Sequence, residues 1–252
     1  MIFENRFIAF FDLLGFSSFI KNNDNYEIEY RIDHLFRDIE YALGKDALNK
    51  ETNGSITYDI SNAEINCLTI SDSVIFWTDS ASIENLHNLI EVSYLFNQRM
   101  ANWNFPLRGA LVYGQLGIKK WDAPNNNNKV YRANSIYGKG LIKAYEIANS
   151  LEWCGTVIDN SIFQDQNQKF GLLSFLSEFS IEYNVPVKSG IQNYLSFYLE
   201  KPGFSNELLE NKMKHFEEFI FKGDNKTFDQ AAKYKLDNTN KFLKYLQTCK
   251  NK

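Results

Sequence analysis

An uninterrupted apolar run near the start of the chain ends on a single carboxylate. Residues 7–11 (FIAFF) are all apolar, and Asp12 follows them directly, before a turn that contains Gly15. A continuous apolar run with aromatic residues is typical of a strand buried on both faces. Because an unpaired charge at the end of such a strand is costly, Asp12 is expected to have a partner. A divalent cation is one candidate. The alternative is that Asp12 only opens the loop and caps the helix that follows.

A second apolar stretch is interrupted by another carboxylate. Residues 67–77 (CLTISDSVIFW) carry apolar and β-branched residues on both sides of a Ser-Asp-Ser triplet. This pattern predicts a tight hairpin with Asp72 at its turn. If the hairpin lies beside the first strand, Asp12 and Asp72 converge. Two carboxylates at adjacent strand ends suit a pair of metal ions about 3.5–4 Å apart that bind a triphosphate. The alternative is that both residues only form turns.

The rest of the first 165 residues alternates between helical and extended patterns. Apolar positions recur at helical spacing in several segments, and Ser82 is a candidate N-cap. Helices are predicted at residues 17–20, 26–48, 82–100 and 139–149, with another beginning at residue 160. Besides the first strand and the hairpin, strands are predicted at residues 56–60, 107–116 and 155–159, and a polar loop at 125–128. This order predicts an α+β domain with helices on one face of a mostly antiparallel sheet.

Residues 166–252 have a different pattern and are predicted to form a mainly helical C-terminal extension of a domain that spans residues 1–165. One strand is expected at residues 181–187. Helices are expected at 208–221 and 227–246, on either side of a Gly-Asp-Asn break. The last 20 residues are rich in lysine. They are interpreted either as part of a solvated helical hairpin or as a dimer or regulatory surface.

Composition excludes several classes of protein. The chain has 252 residues, of which 44% are hydrophobic, so a sizeable core is available. Its net charge of −4 argues against extended contacts with a nucleic-acid backbone. Three widely separated cysteines without a CxxC pair indicate neither a zinc knuckle nor a disulfide framework, which fits a reducing cytoplasm. We expect no signal peptide and no membrane helix, since no run approaches the roughly 18 apolar residues that a span requires.

Four segments, taken in order, resemble the motifs of class III nucleotidyl cyclase catalytic domains. They are residues 11–16 (FDLLGF), 71–73 (SDS), 107–114 (LRGALVYG) and 137–141 (YGKGL). Within that superfamily the chain is most similar to the bacterial pyrimidine cyclases of the Pycsar antiphage defence system. The resemblance covers residues 5–165 and implies a ferredoxin-like catalytic domain.

The resemblance also implies a reaction and a set of ligands. The 3′-hydroxyl of a nucleoside triphosphate attacks its own α-phosphorus and expels pyrophosphate, with the help of two divalent ions, Mg²⁺ or Mn²⁺. The metal ligands would be Asp12, Asp72 and the backbone carbonyl of Leu13. The nucleotide-binding residues would be Leu14, Gly15 and Phe16, whose backbone N–H groups would face the phosphates. The alternative for Gly15 is a purely structural turn.

Arg108 opens an otherwise apolar strand and therefore needs an anionic partner. A triphosphate or its transition state would serve, and so would a salt bridge to a nearby acidic residue. The resemblance implies the first, catalytic role.

The chain departs from the purine-specific members of the superfamily at four positions. A Lys and an acidic residue that read the purine are replaced by Leu68 and Ser135, and an Asn and a transition-state Arg by Ile142 and Glu146. The chain therefore either binds nucleotides without turnover or reads another base and takes its Arg from elsewhere. Retention of both carboxylates favours an active enzyme.

The resemblance points to a pyrimidine substrate. UTP is the expected substrate and 3′,5′-cyclic UMP the product, with CTP and cyclic CMP as the alternative. Tyr137, Asn134 and Lys139 are candidates to line the base site, although an ordinary loop residue is the preferred interpretation of each. The resemblance further implies a homodimer and a separate effector that the cyclic nucleotide activates after phage infection. A catalytically silent nucleotide-binding regulator and an unrelated α+β interaction domain remain as alternatives.

Overall fold

A computed structural model describes residues 3–47, 57–103, 105–124, 130–163 and 169–249. The strands are β1 (Glu4–Leu13), β2 (Asn66–Ile70), β3 (Ser73–Trp77), β4 (Leu107–Pro124), β5 (Val130–Tyr137), β6 (Gly155–Ile158), β7 (Ser180–Val187) and β8 (Gly190–Phe197). The helices are α1 (Phe16–Asn22), α2 (Asn25–Leu43), α3 (Ile83–Trp103), α4 (Lys139–Ser150), α5 (Lys169–Leu176), α6 (Asn206–His215) and α7 (Gln230–Thr248).

The strands form one sheet in the order β2-β3-β1-β4-β6-β8-β7, with β5 paired to the outer half of β4. Each pairing is antiparallel except that of β4 with β6. The predicted α+β class and mostly antiparallel sheet are therefore confirmed. The described helices are too short or too polar to cross a lipid bilayer.

Strand β1 lies near the middle of the sheet and is buried on both faces, as its apolar run predicts. Side chains alternate between the two faces of a strand. Phe7, Ala9 and Phe11 belong to one hydrophobic cluster, whereas Ile8 and Phe10 belong to the other. Helices α1, α2, α3 and α5 cover the first cluster, and α4, α6 and α7 cover the second. The expectation of helices on one face is thus corrected, because two apolar faces must both be covered.

Several predicted boundaries need correction. Helix α2 ends at Leu43 rather than at residue 48, and the two residues after Gly44 adopt left-handed backbone angles. Residues 57–60, the described part of the strand predicted at 56–60, form no regular strand. The helix predicted from residue 160 is a single 3-10 turn, Asn160–Ile162, within the described part of the chain. The loop predicted at 125–128 lies outside the described residues.

The sheet continues into the residues predicted as the C-terminal extension. Strand β7 agrees with the strand predicted at 181–187, and the unpredicted β8 joins it to β6. Helices α6 and α7 match the two predicted helices, although a π-helical turn, Phe216–Phe221, follows α6. The division of the chain at residue 165 stays a prediction.

Two glycines from the third and fourth sequence motifs allow α4 to cross β4 in close contact. A Cβ atom added to Gly140 would lie 2.7 Å from Cδ1 of Ile8 and 2.8 Å from the carbonyl carbon of Gly114. A Cβ at Gly114 would in turn lie 2.7 Å from the Cα of Gly140. Because these two residues lack side chains, α4 packs directly on β4, the strand that carries Arg108.

Replacement of Gly140 by Ala is expected to destabilise the fold by about 1–3 kcal/mol, since the new methyl group would meet the backbone of Gly114 as well as the buried side chain of Ile8. The measurement is urea-induced unfolding. Gly171→Ala in α5 is the matched control, because nothing lies within 4 Å of the added Cβ. We expect that control to be neutral or slightly stabilising. Equal stability of the two variants would contradict the close packing of α4 on β4.

Candidate active site

The two carboxylates predicted to converge lie on neighbouring strand ends. Asp12 pairs with Ser73 of β3 on one side of β1 and with Arg108 of β4 on the other. The backbone N–H of Leu13 donates to the carbonyl of Asp72 over 2.8 Å, so the hairpin turn lies directly beside the end of β1. Ser71 adopts a φ of 55° in this two-residue turn, as tight hairpins require. The predicted hairpin, with Asp72 at its turn, is therefore present.

Arg108 makes a salt bridge with Asp12. Its Nε donates to Oδ2 of Asp12 over 2.6 Å, and both side chains are mostly buried, with 14% and 21% of their areas exposed. Its two terminal nitrogens donate to the carbonyl and to Oδ1 of Asn149, over 3.0 and 2.8 Å. The charge at the end of β1 thus has the partner that its burial requires. Asn149, which sequence reasoning missed, orients the guanidinium from the last turn of α4.

The segment between Asp12 and α1 is a tight turn. Gly15 has φ 80° and caps α1 without a side-chain hydrogen bond. The N–H of Leu14 donates to the carbonyl of Pro106 over 2.7 Å, which fixes the turn to the start of β4. The expectation that this N–H faces the phosphates is therefore corrected, because it is already bonded within the protein. The ring of Phe16 packs against Phe105 in the core. Phe16 therefore faces any nucleotide only through its backbone.

These residues line a cleft of about 580 Å³. One side is formed by residues 12–18, Lys21 and Asn22, together with Asp72, Pro106 and Arg108. The other side, which we call the C-terminal wall, consists of Phe221, Lys226, Thr227, Asp229, Ala231, Ala232 and Lys235. The volume is within the range of pockets that hold small molecules. Sequence reasoning missed this wall, and the only signal for it was the Gly-Asp-Asn break before Lys226.

Besides Arg108, three cations line the cleft. Lys235 forms a salt bridge with Glu152 over 3.3 Å. Lys21 is exposed and makes no ion pair with the described residues. Lys226 is almost fully buried, and burial lowers its pKa to about 8 even though Asp224, 3.3 Å away, favours the charged form. The cleft therefore has positive charge on both sides, as an anionic ligand requires.

The donor atoms fit a divalent cation that the nucleotide helps to bind. Among the described residues, no three Asp, Glu, His or Cys side chains are close enough to form a complete metal site. Asp12, Asp72 and the Leu13 carbonyl are hard oxygen donors of the kind that Mg²⁺ and Mn²⁺ prefer, and Mg²⁺ commonly takes only one or two carboxylates and completes its shell with phosphates and water. Oδ1 of Asp12 accepts no hydrogen bond within the described part of the chain, which leaves it available.

Two of the three predicted base-reading residues, Tyr137 and Lys139, do not line the cleft. Tyr137 packs edge-on against Phe3, with ring centroids 5.5 Å apart, and neither Tyr137 nor Lys139 is among the lining residues. The side chain of Asn134 lies outside the described part of the structure. Ile142 and Glu146, at the positions of the Asn and Arg of purine cyclases, are exposed on α4.

Solved structures of nucleotide cyclases share this fold. The guanylate cyclase domain of RhGC from Catenaria anguillulae, in complex with GTP, superposes with a TM-score of 0.53 at 10% identity, over 79% of this chain and 98% of that domain. The catalytic core of a rhodopsin-guanylyl cyclase with converted specificity, in complex with ATPαS, gives the same TM-score and identity over 79% and 97%. No protein-family model and no curated protein sequence matches the chain. The protein therefore has the fold of class III nucleotide cyclase catalytic domains.

Proposed function

We propose that this protein is a nucleotidyl cyclase that converts UTP to 3′,5′-cyclic UMP and pyrophosphate. The observation that carries the proposal is the hydrogen bond from the Leu13 N–H to the Asp72 carbonyl, which sets Asp12 and Asp72 side by side at the rim of a triphosphate-sized cleft. Shared fold alone would not suffice, since one fold can host many activities.

The reaction forms a bond from the 3′-oxygen to the α-phosphorus, releases the hydroxyl proton, and breaks the bond from that phosphorus to the bridging oxygen of pyrophosphate. Bound divalent ions supply charge neutralisation and a lower pKa for the 3′-hydroxyl. Asp12, Asp72 and the Leu13 carbonyl would hold these ions at the end of β1. The protein's further contribution is to hold the 3′-oxygen in line with the leaving group and to exclude bulk water.

Arg108 has a defined part in this proposal. Its salt bridge fixes the position of Asp12, and Asn149 fixes the guanidinium in turn. The guanidinium also lines the cleft, where it is available to phosphoryl oxygens that gain charge in the transition state. This arrangement compensates for the missing Arg at Glu146.

The choice of a pyrimidine depends on the resemblance noted in the sequence. The side chain at the position of the purine-reading Lys is Leu68, which is apolar and packs against the second hydrophobic cluster. It offers no hydrogen bond to a purine, which supports a different base. The proposal extends to a homodimer and to a role for cyclic UMP as a second messenger in antiphage defence. CTP is the alternative substrate.

The test is incubation of the purified protein with ATP, GTP, CTP and UTP in turn, each with Mn²⁺, followed by mass spectrometry of the products. We expect cyclic UMP from UTP and much less product from the other three. Cyclic CMP alone would keep the mechanism and change the base. Absence of cyclic product from all four nucleotides would refute the cyclase assignment.

A silent nucleotide-binding regulator is the second candidate. The engagement of Asp12 by Arg108 favours it, because a metal ion at Asp12 must share that carboxylate with the guanidinium. This candidate predicts that a nucleoside triphosphate raises the melting temperature without turnover.

A further inference from the structure

A loop from the C-terminal part of the chain is bonded to α1 at several points. Asn22 and Asn23 donate to the carbonyls of Asn225 and Asp224, each over 2.8 Å. Nδ2 of Asn225 donates to Oδ1 of Asn23 over 2.9 Å. From the other end, the N–H of Thr227 donates to Oγ of Ser18 over 3.1 Å, and that hydroxyl donates to the Gly15 carbonyl. Residues 224–227, which we call the 224–227 loop, are therefore fixed relative to the turn at Gly15.

The loop has two consecutive residues in an unusual backbone conformation. Asp224 and Asn225 are consecutive residues with φ 54° and 53°, in the left-handed region that costs free energy for residues other than glycine. Unfavourable backbone conformations of this kind persist where surrounding contacts over-determine them, and they are frequent at functional sites.

Lys226 lies beneath the turn at Gly15. A Cβ atom added to Gly15 would lie 3.2 Å from Cδ of Lys226. The amino group lies 3.3 Å from Oδ2 of Asp224 and 4.7 Å from the ring centroid of Phe105, and only 1% of the side chain is exposed. Asp224 already has a shorter bond of 2.5 Å to Arg31. The ammonium of Lys226 is therefore the second cation paired with the Asp224 carboxylate. Together Arg31, Lys226 and Asp224 carry a net positive charge.

We infer that Lys226 is a positioning residue of the nucleotide site. This inference deepens the cyclase proposal and depends on it. The aliphatic stem supports the turn at Leu14, Gly15 and Phe16, and the ammonium supplies positive charge from a region of low dielectric, where an interaction with a triphosphate is stronger than in water. The ligand is the polyphosphate of a nucleoside triphosphate, and the C-terminal wall contributes to its binding through Lys226.

A purely structural role does not explain a lysine here. Burial disfavours its charged form, as the lowered pKa shows, so the amino group costs stability at neutral pH. Removal of the charge leaves Asp224 paired with Arg31. A residue of the same length without the charge is therefore expected to stabilise the fold and to weaken the binding of triphosphate. Substitution of a residue with a merely structural role would lower the stability of the fold and the affinity for triphosphate together.

The test compares Lys226→Met with Lys222→Met. Lys222 lies just before the 224–227 loop, but it is paired with Glu217, is 44% exposed and is not among the cleft-lining residues. The probes are 3′-deoxynucleoside triphosphates of the four bases with Mn²⁺, which lack the attacking hydroxyl and so report binding without turnover. The readouts are calorimetric Kd and melting temperature, together with KM and kcat for the nucleotide that the wild type cyclises.

We expect Lys226→Met to raise both Kd and KM at least about tenfold, with kcat changed much less and the melting temperature equal or higher. Lys222→Met is expected to match the wild type in Kd and KM. If Lys226→Met fails to fold, Lys226→Gln serves instead, because it removes the charge at the same position, keeps a polar end group, and should also raise Kd.

The two proposals fail in different ways. Tight binding of a 3′-deoxynucleotide by a wild type that makes no cyclic product would refute the cyclase proposal alone, while the effect of Lys226→Met on Kd would still decide the role of Lys226. A Kd within twofold of the wild type for Lys226→Met would overturn the positioning role. No binding of any of the four probes by the wild type would overturn both.

Discussion

Replacement of Asp72 by Asn is expected to lower kcat/KM for cyclisation by at least about 10³-fold without loss of the fold. The carboxylate would bind metal, and an amide oxygen in its place is a weaker ligand because it lacks the negative charge that attracts a divalent cation. The fold should tolerate the change, because the bond that joins the hairpin to β1 uses the backbone carbonyl of Asp72 and not its side chain. Initial rates of cyclic nucleotide formation and the melting temperature are the measurements.

The hairpin itself offers a matched control for that experiment. Asp79 follows the far end of β3, and its side chain is 77% exposed and bonded to Arg6 and Asn66. Asp79→Asn changes the charge of the protein by the same amount outside the cleft, so its activity should stay close to that of the wild type. Activity of Asp72→Asn within tenfold of the wild type would remove Asp72 from the proposed metal site.

Replacement of Arg99 by Met is expected to destabilise the protein by about 1.5–3 kcal/mol, the usual range for hydrogen bonds to a charged group. Asp38 on α2 is fully buried, and Arg99 on α3 bonds its Oδ1 through Nε and Nη2, over 3.0 and 2.9 Å. The guanidinium also lies over the ring of Tyr41, 4.6 Å from its centroid. The variant removes a cation that donates two hydrogen bonds to one oxygen of the Asp38 carboxylate. The measurement is urea-induced unfolding.

A neighbouring arginine is the control for that prediction. Arg37 is 43% exposed and only approaches Asp38, at 4.0 Å, so Arg37→Met should cost less than about 1 kcal/mol. The double variant Asp38→Leu with Arg99→Met should recover much of the loss, because a buried ion pair can often be replaced by apolar residues without a large penalty. A loss below about 1 kcal/mol for Arg99→Met alone would show that the pair is not a main link between α2 and α3.

The parts of the site that depend on local pattern were predictable from the sequence. An unbroken apolar run with aromatic residues predicts β1, since such a run is typical of a strand covered on both faces, and a Ser-Asp-Ser triplet between two apolar runs predicts the hairpin. The strands β5 and β8 were not predicted. In β8 the first half is polar, with Gln192 and Asn193 exposed, so it lacks the apolar pattern of a strand. Their positions are set by pairing with β4, β6 and β7 rather than by hydrophobic period.

The C-terminal wall could not be predicted from sequence pattern, for a different reason. Its contacts join Asn23 to Asp224, which are 201 positions apart, and Ser18 to Thr227, which are 209 apart. The polar residues around each partner indicate a turn at most, so no window of neighbouring residues reveals the contact. Likewise the salt bridge of Arg108 with Asp12 follows from the register of β1 with β4, which a single sequence does not supply.

The distance in sequence between α1 and the 224–227 loop has a consequence for the newly made protein. At about 5–20 residues per second, a ribosome needs roughly 10–40 s to add the 201 residues that separate Asn23 from Asp224. During that time β1, the hairpin and β4 can form and pair, but the cleft has only one side. A nascent chain therefore carries both carboxylates without the wall that completes the pocket, and the capacity to bind nucleotide would arise only after the residues of the C-terminal wall have been added.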